Sequence, residues 1–301
     1  MSNITSQIHA ACSADRFSCR VVWPALVLAV AMTVVAGPAR AAITVFEGTG
    51  ATPAALITVR DSFRAAVGGG SVAGANGDFG GLRREINWDG VGAAFAVPAA
   101  LPANFFNANS PRGLVLSSPT AGASFAVSAN AGEGLATLFG FAGDLQTFSA
   151  QRLFATVGSR FTDIRFVEPG TATAATTSAF AAVFVDVEAD NATDFTTLEF
   201  FDSADQLIFS RRAPVAGNQG LSFLGGVASA GVQIVRVRIS TPNNFLLSNG
   251  VRLNEVNDFV AMDDFLYASP VAVPEPAAWF LALLGLGVVG WRGQQLQPAR
   301  G

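Results

Sequence analysis

The chain of 301 residues contains no lysine, one histidine and two cysteines. His9, Cys12 and Cys19 all stand ahead of an apolar run from Val21 to Val35 that is broken by Gly37 and Pro38. Arg16 and Arg20 precede the run, and Ala39-Arg40-Ala41 supplies a small-x-small pattern after it. That order is a secretory leader, cut by signal peptidase after Ala41 or, alternatively, Ala42. An uncleaved N-terminal anchor is the other reading. With the leader removed, the remaining chain has no Cys, no His and no Lys. It can form no disulfide, although an oxidising compartment would permit one. It has no imidazole for a Ser-His-Asp triad and no thiolate nucleophile. It has no amine for a Schiff base and none of the usual zinc ligands of the His or Cys type. Carboxylates, arginines, hydroxyls and main-chain groups remain for chemistry.

Charge and aromatics are also thin. Removal of residues 1–41 deletes Arg16, Arg20, Arg40 and Asp15, leaving 15 basic and 21 acidic residues, a formal charge of −6. An acidic chain without a Lys/Arg run is no partner for nucleic acid or for an anionic lipid surface. Between the leader and the tail there is one tryptophan, Trp88, and one tyrosine, Tyr267; phenylalanine, 25 in the whole chain, carries the aromatic content.

Residues 42–268 are the part that folds, and their length suits one large all-β domain, with a possible sub-boundary near Gly113. A strand over Ile43–Glu47 is followed by a helix. Thr52-Pro53 reads as N-cap and first helical residue, and Leu56, Val59, Phe63 and Val67 recur at helical spacing. Arg60, Asp61 and Arg64 fall on the other face, and Gly68-Gly69-Gly70 ends the helix, which is expected to plug one end of a sandwich. Arg83 to Trp88 reads as a strand closing into the Asp89-Gly90 turn. From Leu114 onward, short apolar or alternating runs are separated by Gly, Pro, Asn and Asp. They lie at 114–116, 124–128, 152–154, 163–166, 179–188, 197–201, 206–210, 221–224, 232–239 and 259–267. The pattern predicts a mainly β, antiparallel sandwich or barrel.

The most specific stretch is the end. Val273-Pro274-Glu275-Pro276 is stiff and extended, because neither proline sits inside a helix and each pushes its predecessor towards extended geometry. Ala277 to Trp291 follows without a charge, bounded by Trp279 and Trp291, and Arg292 then opens a polar tail that ends with Arg300. An all-round apolar helix flanked by indoles fits a membrane. At roughly 22 Å it is shorter than the hydrocarbon layer of about 30 Å, which suits a transient anchor better than a permanent one. An ordinary C-terminal anchor is the plainer alternative. The order of motif, helix and basic end resembles the PEP-CTERM sorting signal, although the basic residues of this tail stand apart rather than adjacent. The resemblance implies recognition by an exosortase, export by a Gram-negative bacterium, and delivery to the cell envelope, outer surface or extracellular matrix after transient inner-membrane anchoring. It also implies company with exopolysaccharide or biofilm machinery. The strand pattern is similar to the jelly-roll sandwich common in such proteins and in lectin-like modules.

Two carboxylate groups stand out. In Val183-Phe184-Val185-Asp186-Val187-Glu188-Ala189-Asp190, strict alternation would put Val183, Val185, Val187 and Ala189 on one face and Asp186, Glu188 and Asp190 on the other. That acidic ladder either faces water or gathers a hard cation such as Ca²⁺. In Asp263-Asp264, a continuous strand would turn one carboxylate inward, where it needs a partner; a bulge would let both reach water. Jelly-roll binding modules hold a structural Ca²⁺ between first and last strands, and by that resemblance Glu47, Asp263 and Asp264 are the candidate ligands. Trp88 with Asn87 and Asp89 is a candidate sugar platform, or else Trp88 packs the core. Three functions therefore compete. The first is a non-catalytic surface or matrix protein, the favoured reading. The second is a carbohydrate-binding module for exopolysaccharide. The third is a glycoside hydrolase using paired carboxylates, with Glu85 and Asp89, or Glu188 and Asp263, as pairs. No residue is assigned a catalytic role.

Overall fold

A computed structural model of the chain describes residues 42–130, 138–254 and 256–273. The leader with Ala39 and Ala41, and the tail from Pro274 through Glu275 and Pro276 to the end, lie outside the described residues. The described residues belong to one compact unit, and no boundary falls near Gly113. Gly113 is tied in instead: its carbonyl accepts the Val167 N–H.

Two helices and fifteen strands are present among the described residues. The helices are α1 (Pro53–Val67) and the four-residue α2 (Phe105–Ala108). The first strands are β1 (Ile43–Gly50), β2 (Asp78–Phe79), β3 (Arg83–Ile86), β4 (Leu114–Ser117), β5 (Ser124–Val127), β6 (Phe154–Val157), β7 (Phe161–Val167) and β8 (Ala174–Thr176). Then come β9 (Ala179–Val185), β10 (Thr197–Phe201), β11 (Leu207–Arg212), β12 (Leu221–Ala228), β13 (Arg236–Ser240), β14 (Ala261–Ala268) and β15 (Val271–Ala272). One sheet runs β1-β12-β9-β14-β3-β2, with β6 joined to β14 and β5 to β6. The other runs β11-β10-β13-β7-β8-β15, with β4 on β7. Every ladder is antiparallel. The protein is an antiparallel β-sandwich.

The first sheet is buried on both faces, and that explains the composition of β9. Phe180, Ala182 and Phe184 enter the core between the sheets, together with Phe200, Val237 and Phe265. Ala181, Val183 and Val185 enter a second core on the outer face, with Leu56 and Phe63 of α1 and Phe223 of β12. A strand packed on both sides reads as an unbroken apolar run rather than an alternation. The helix therefore lies across the outer face of the first sheet and does not plug an end of the sandwich. Phe63 meets Phe46 and Phe223 edge-on, with centroids 5.6 and 5.9 Å apart. Pro53 opens α1, and Gly68, at φ 93°, closes it by donating its N–H to the Arg64 carbonyl. The expected wet face is only partly wet, since Arg64 turns to Glu85 of β3.

Candidate functional site

The Asn87-Trp88-Asp89-Gly90 turn ends β3 and does structural work. Trp88 is 1 % exposed. Its ring stacks on Phe154 at 4.3 Å, nearly parallel, and meets Phe106 and Phe265 edge-on. Its Nε1–H donates to the Asp263 carbonyl at 2.9 Å. The sugar-platform reading is thereby corrected: a sugar cannot reach a ring that already packs between phenylalanines in the core. Asp89 accepts main-chain N–H bonds from Ala150, Gln151 and Arg152 at 3.1, 2.9 and 3.0 Å. The Asn87 carbonyl accepts the Ser149 hydroxyl at 2.9 Å. These residues fasten the 148–152 loop. Tyr267 is also buried, with its hydroxyl donating to the Arg112 carbonyl.

Asp263 and Asp264 sit in a bulge of β14. Met262 faces Phe184 and Phe265 faces Ala182 on β9, so two residues oppose the single Val183. Met262 and Phe265 both point into the inter-sheet core, while Ala261 and Leu266 point to the outer one. The extra residue puts both aspartates between, and both are buried, at 0 % and 7 % exposure. The bulge anticipated as an escape to water is present, but residues 148–149 close over Asp263, and Asp264 borders only the cleft beside α1. Asp263 is satisfied by the Phe148 and Ser149 N–H groups at 2.7 and 3.1 Å and by the Ser149 hydroxyl at 2.7 Å. Asp264 has one oxygen without a hydrogen-bond partner. Burial pushes both carboxyls up from their ordinary value, and the neighbouring Asp263 charge pushes Asp264 further.

Asp264 borders a cleft of about 510 Å³ beside α1, shared with Arg60, Arg64, Glu85, Phe148 and Ser149. Glu85 has no oxygen to spare. It takes Arg64 at 2.8 and 2.6 Å and Arg83 at 2.6 Å. Neither carboxylate pair weighed for hydrolysis faces across a cleft: Asp89 and Asp263 both hold the 148–152 loop, and Glu188 lines a separate pocket.

Glu47 stands away from both aspartates. β12 and β9 intervene between β1 and β14, which at about 4.8 Å per strand separates their backbones by roughly 14 Å. One ion cannot bridge that gap, so Glu47, Asp263 and Asp264 do not form a common calcium site. Glu47 instead makes a two-pronged pair with Arg211 of β11, at 2.9 and 2.7 Å, linking the edges of the two sheets. The hydrogen bond from Arg211 lowers the Glu47 carboxyl below its ordinary range. Because the pair is exposed, Glu47→Gln is expected to cost less than about 1 kcal/mol; thermal melting checks it.

The acidic ladder breaks at its first member. β9 stops at Val185 because Asp186 takes φ 71°, held by its N–H to the Gly220 carbonyl and by the Gln219 N–H to its carboxylate at 2.8 Å. Val187 then enters the inter-sheet core, on the opposite side from Val183 and Val185. Asp190 leaves to pair with Arg212. Asp186 and Glu188 line a pocket of about 300 Å³, into which the fold also brings Asp144, Asp194, Asp258 and Arg252. Arg252 pairs with Asp144 at 2.6 Å. Asp258 accepts the Glu188 N–H at 2.8 Å, and Asp194 accepts the Asp258 N–H at 3.0 Å. The second oxygen of each has no partner. Burial raises Asp186 to about 7 and Asp258 to about 8, and surrounding carboxylates add to both shifts. Asp144, Asp194 and Asp258 carry no local sequence signal; they come from three separate loops. Among the described residues, no group of three or more His, Cys, Asp or Glu side chains is gathered closely enough to hold a metal ion.

The last described segment leads to the tail. Thr177 Oγ1 donates to the Ala268 carbonyl at 2.7 Å, and the Ser269 N–H donates to the Leu82 carbonyl at 2.8 Å. β15 then pairs with β8, Val271 opposite Thr176 and Ala272 opposite Ala175. The fold thus extends past Ala268, to Val273, whose N–H reaches the Ala174 carbonyl at 3.0 Å. Among the described residues no helix is long and apolar enough to cross a membrane; the expected span, 277–291, lies beyond them.

These features define a class: a β-sandwich whose final edge strand runs without a linker into a C-terminal sorting tail. Residues 272–294 match the PEP-CTERM protein-sorting motif, so the chain carries that sorting signal at its C-terminal end. The motif implies export, sorting in the cell envelope and processing by an exosortase. A comparison with curated proteins gives no match.

Proposed function

We propose that the protein is a non-catalytic constituent of the outer surface or extracellular matrix, delivered by signal peptidase and exosortase and held transiently in the membrane by residues 277–291. The observation that carries the reading is the sorting match at 272–294, which begins inside the last strand of the sandwich. Support for a non-catalytic role comes from the sequence and from the pairing of charges. No Cys, His or Lys follows the predicted leader, and Glu85, Asp89 and Asp263 are engaged by arginines or main-chain donors. Exopolysaccharide is the natural neighbour of such a protein. A lectin-like role would need a surface other than Trp88 and Tyr267, because both rings are buried. A structural Ca²⁺ shared by Glu47, Asp263 and Asp264 is not part of this reading, since those ligands stand apart.

The test is the intact mass of the protein recovered from its native envelope or matrix. The expected species begins at Ala42 and ends within 273–276. Replacing Pro274, Glu275 and Pro276 together by alanine is expected to leave the precursor unprocessed. Wild-type protein that keeps Trp279 to Arg300 would mean a plain anchor.

A further inference from the structure

The sorting motif begins inside the fold. Ala272, the first matched residue, sits in the β15 ladder, and Val273 still bonds to Ala174. Only Pro274, Glu275 and Pro276 separate Val273 from the apolar span. Extended, three residues reach about 10 Å. A processing enzyme that takes its substrate as an extended peptide must therefore work in a narrow gap between the sandwich and the membrane. The groups that such an enzyme would grip are partly committed to β8.

The attachment is slight. β15 has two residues and β8 has three. Val271 is 67 % exposed, so little apolar burial holds the strand. The anchor just before it is firm. Ala268 and Ser269 are tied to Thr177 and Leu82, and Pro270, without an N–H to donate, is the natural pivot. Freeing Val271 to Val273 would add about 10 Å and double the reach of the motif. Such a short edge strand also blunts the sheet edge against unwanted pairing while it is docked.

We propose that β15 is a detachable strap: Val271 to Val273 leave the β8 edge, so that Val273 and the residues after it reach the processing enzyme while Val271 and Ala272 serve as the spacer. The partner contact thus begins at the freed Val273 and not on the folded sandwich. This rests on the sorting reading above.

A disulfide across the ladder tests it. Val273 and Ala174 form a hydrogen-bonded pair, so Ala272 and Ala175 form the adjacent non-hydrogen-bonded one, where Cα atoms lie about 4.5 Å apart and a bridge can close. In the full chain, with Cys12→Ser and Cys19→Ser, the pair Ala175→Cys and Ala272→Cys is introduced, and tail removal is followed by mass. The oxidised chain is expected to be processed at least about tenfold more slowly than either single-cysteine chain, with reduction restoring the rate. A Gly-Ser-Gly-Ser insertion after Ala272, which keeps Val273 to Pro276 contiguous, is expected to rescue the cross-linked chain, because it supplies the reach that release would otherwise give. Processing of the cross-linked chain at the single-cysteine rate overturns the strap, as does failure of the insertion to rescue. If the bridge does not close, the insertion in the wild-type chain decides: faster processing supports the strap and an unchanged rate overturns it. Absence of processing in the wild type would instead remove the sorting reading itself.

Discussion

Trp88→Ala is expected to lower the melting temperature by about 10 °C or more. The ring is fully buried, stacked on Phe154 and boxed by Phe106 and Phe265. Truncating a buried Trp to Ala costs about 3–5 kcal/mol through lost transfer energy and the cavity left behind. The Asp263 carbonyl also loses its Nε1–H donor in a buried place. Nothing offsets this loss. Trp88 has φ 62°, a left-handed conformation costly for any residue with a Cβ, so alanine keeps the backbone strain and loses the packing that held it. In a domain of this size each kcal/mol moves the melting temperature by about 2–4 °C. Trp88→Phe keeps most of the volume and removes the hydrogen bond, and is expected to cost about 1–2 kcal/mol. Thermal melting followed by near-ultraviolet circular dichroism measures both. A surface platform for sugar would give the opposite pattern: a melting temperature within about 1 °C of wild type for Trp88→Ala and a lost glycan affinity.

Trp88 also shows where sequence reading stops. A lone tryptophan between Asn87 and Asp89 allows two readings, a ring exposed on a polar turn or one packed in the core, and the sequence named both. Only the tertiary partners, Phe154 and Asp263 far along the chain, reveal it as core. What was legible was local. Pro53, the spacing of Leu56 and Phe63, and Gly68 placed α1, and the many short strands gave the sandwich. The tail was legible because its motif is contiguous. What failed depended on neighbours across the sheet. The strands expected from the sequence made β1 and β14 first and last but could not show β12 and β9 between them. Alternation assigned Val187 to the face of Val183, but the left-handed turn at Asp186 resets the phase. The constraint on Asp263-Asp264 was readable, whereas its solution, a bulge whose Asp263 is held by residues 148–149, required the register against β9. The acidic pocket was half visible: Asp186 and Glu188 were marked, and loop closure supplied the rest.

That pocket makes stability fall as pH rises, and Asp258→Asn is expected to remove much of the fall. A carboxyl raised from 3.8 to about 8 on folding binds more proton in the native than in the unfolded chain across that interval. Stability from such a group is fully present below about 4 and is lost as pH climbs towards 8. Asp186, raised to about 7, acts in the same direction over a narrower window. So do Asp263 and Asp264, whose carboxyls are also raised; the difference between wild type and variant isolates the pocket from them. The asparagine amide oxygen still accepts the Glu188 N–H, and a neutral group then faces Asp186, Glu188 and Asp194 in place of a carboxylate. At pH 8 the gain is expected to be on the order of 2 kcal/mol, well under the full shift at 1.36 kcal/mol per pH unit, because an open, water-filled pocket screens part of the repulsion. That corresponds to about 4–8 °C in melting temperature. At pH 3 the two proteins are expected to melt together, since Asp258 is then protonated in the native and in the unfolded chain alike. Asp186→Asn is expected to act similarly, and the double variant to gain less than the two separately, because each charge is part of the other's penalty. Melting curves at pH 3, 6 and 8 decide it. A wild-type melting temperature that stays level or rises over that range would mean the carboxylates are already compensated.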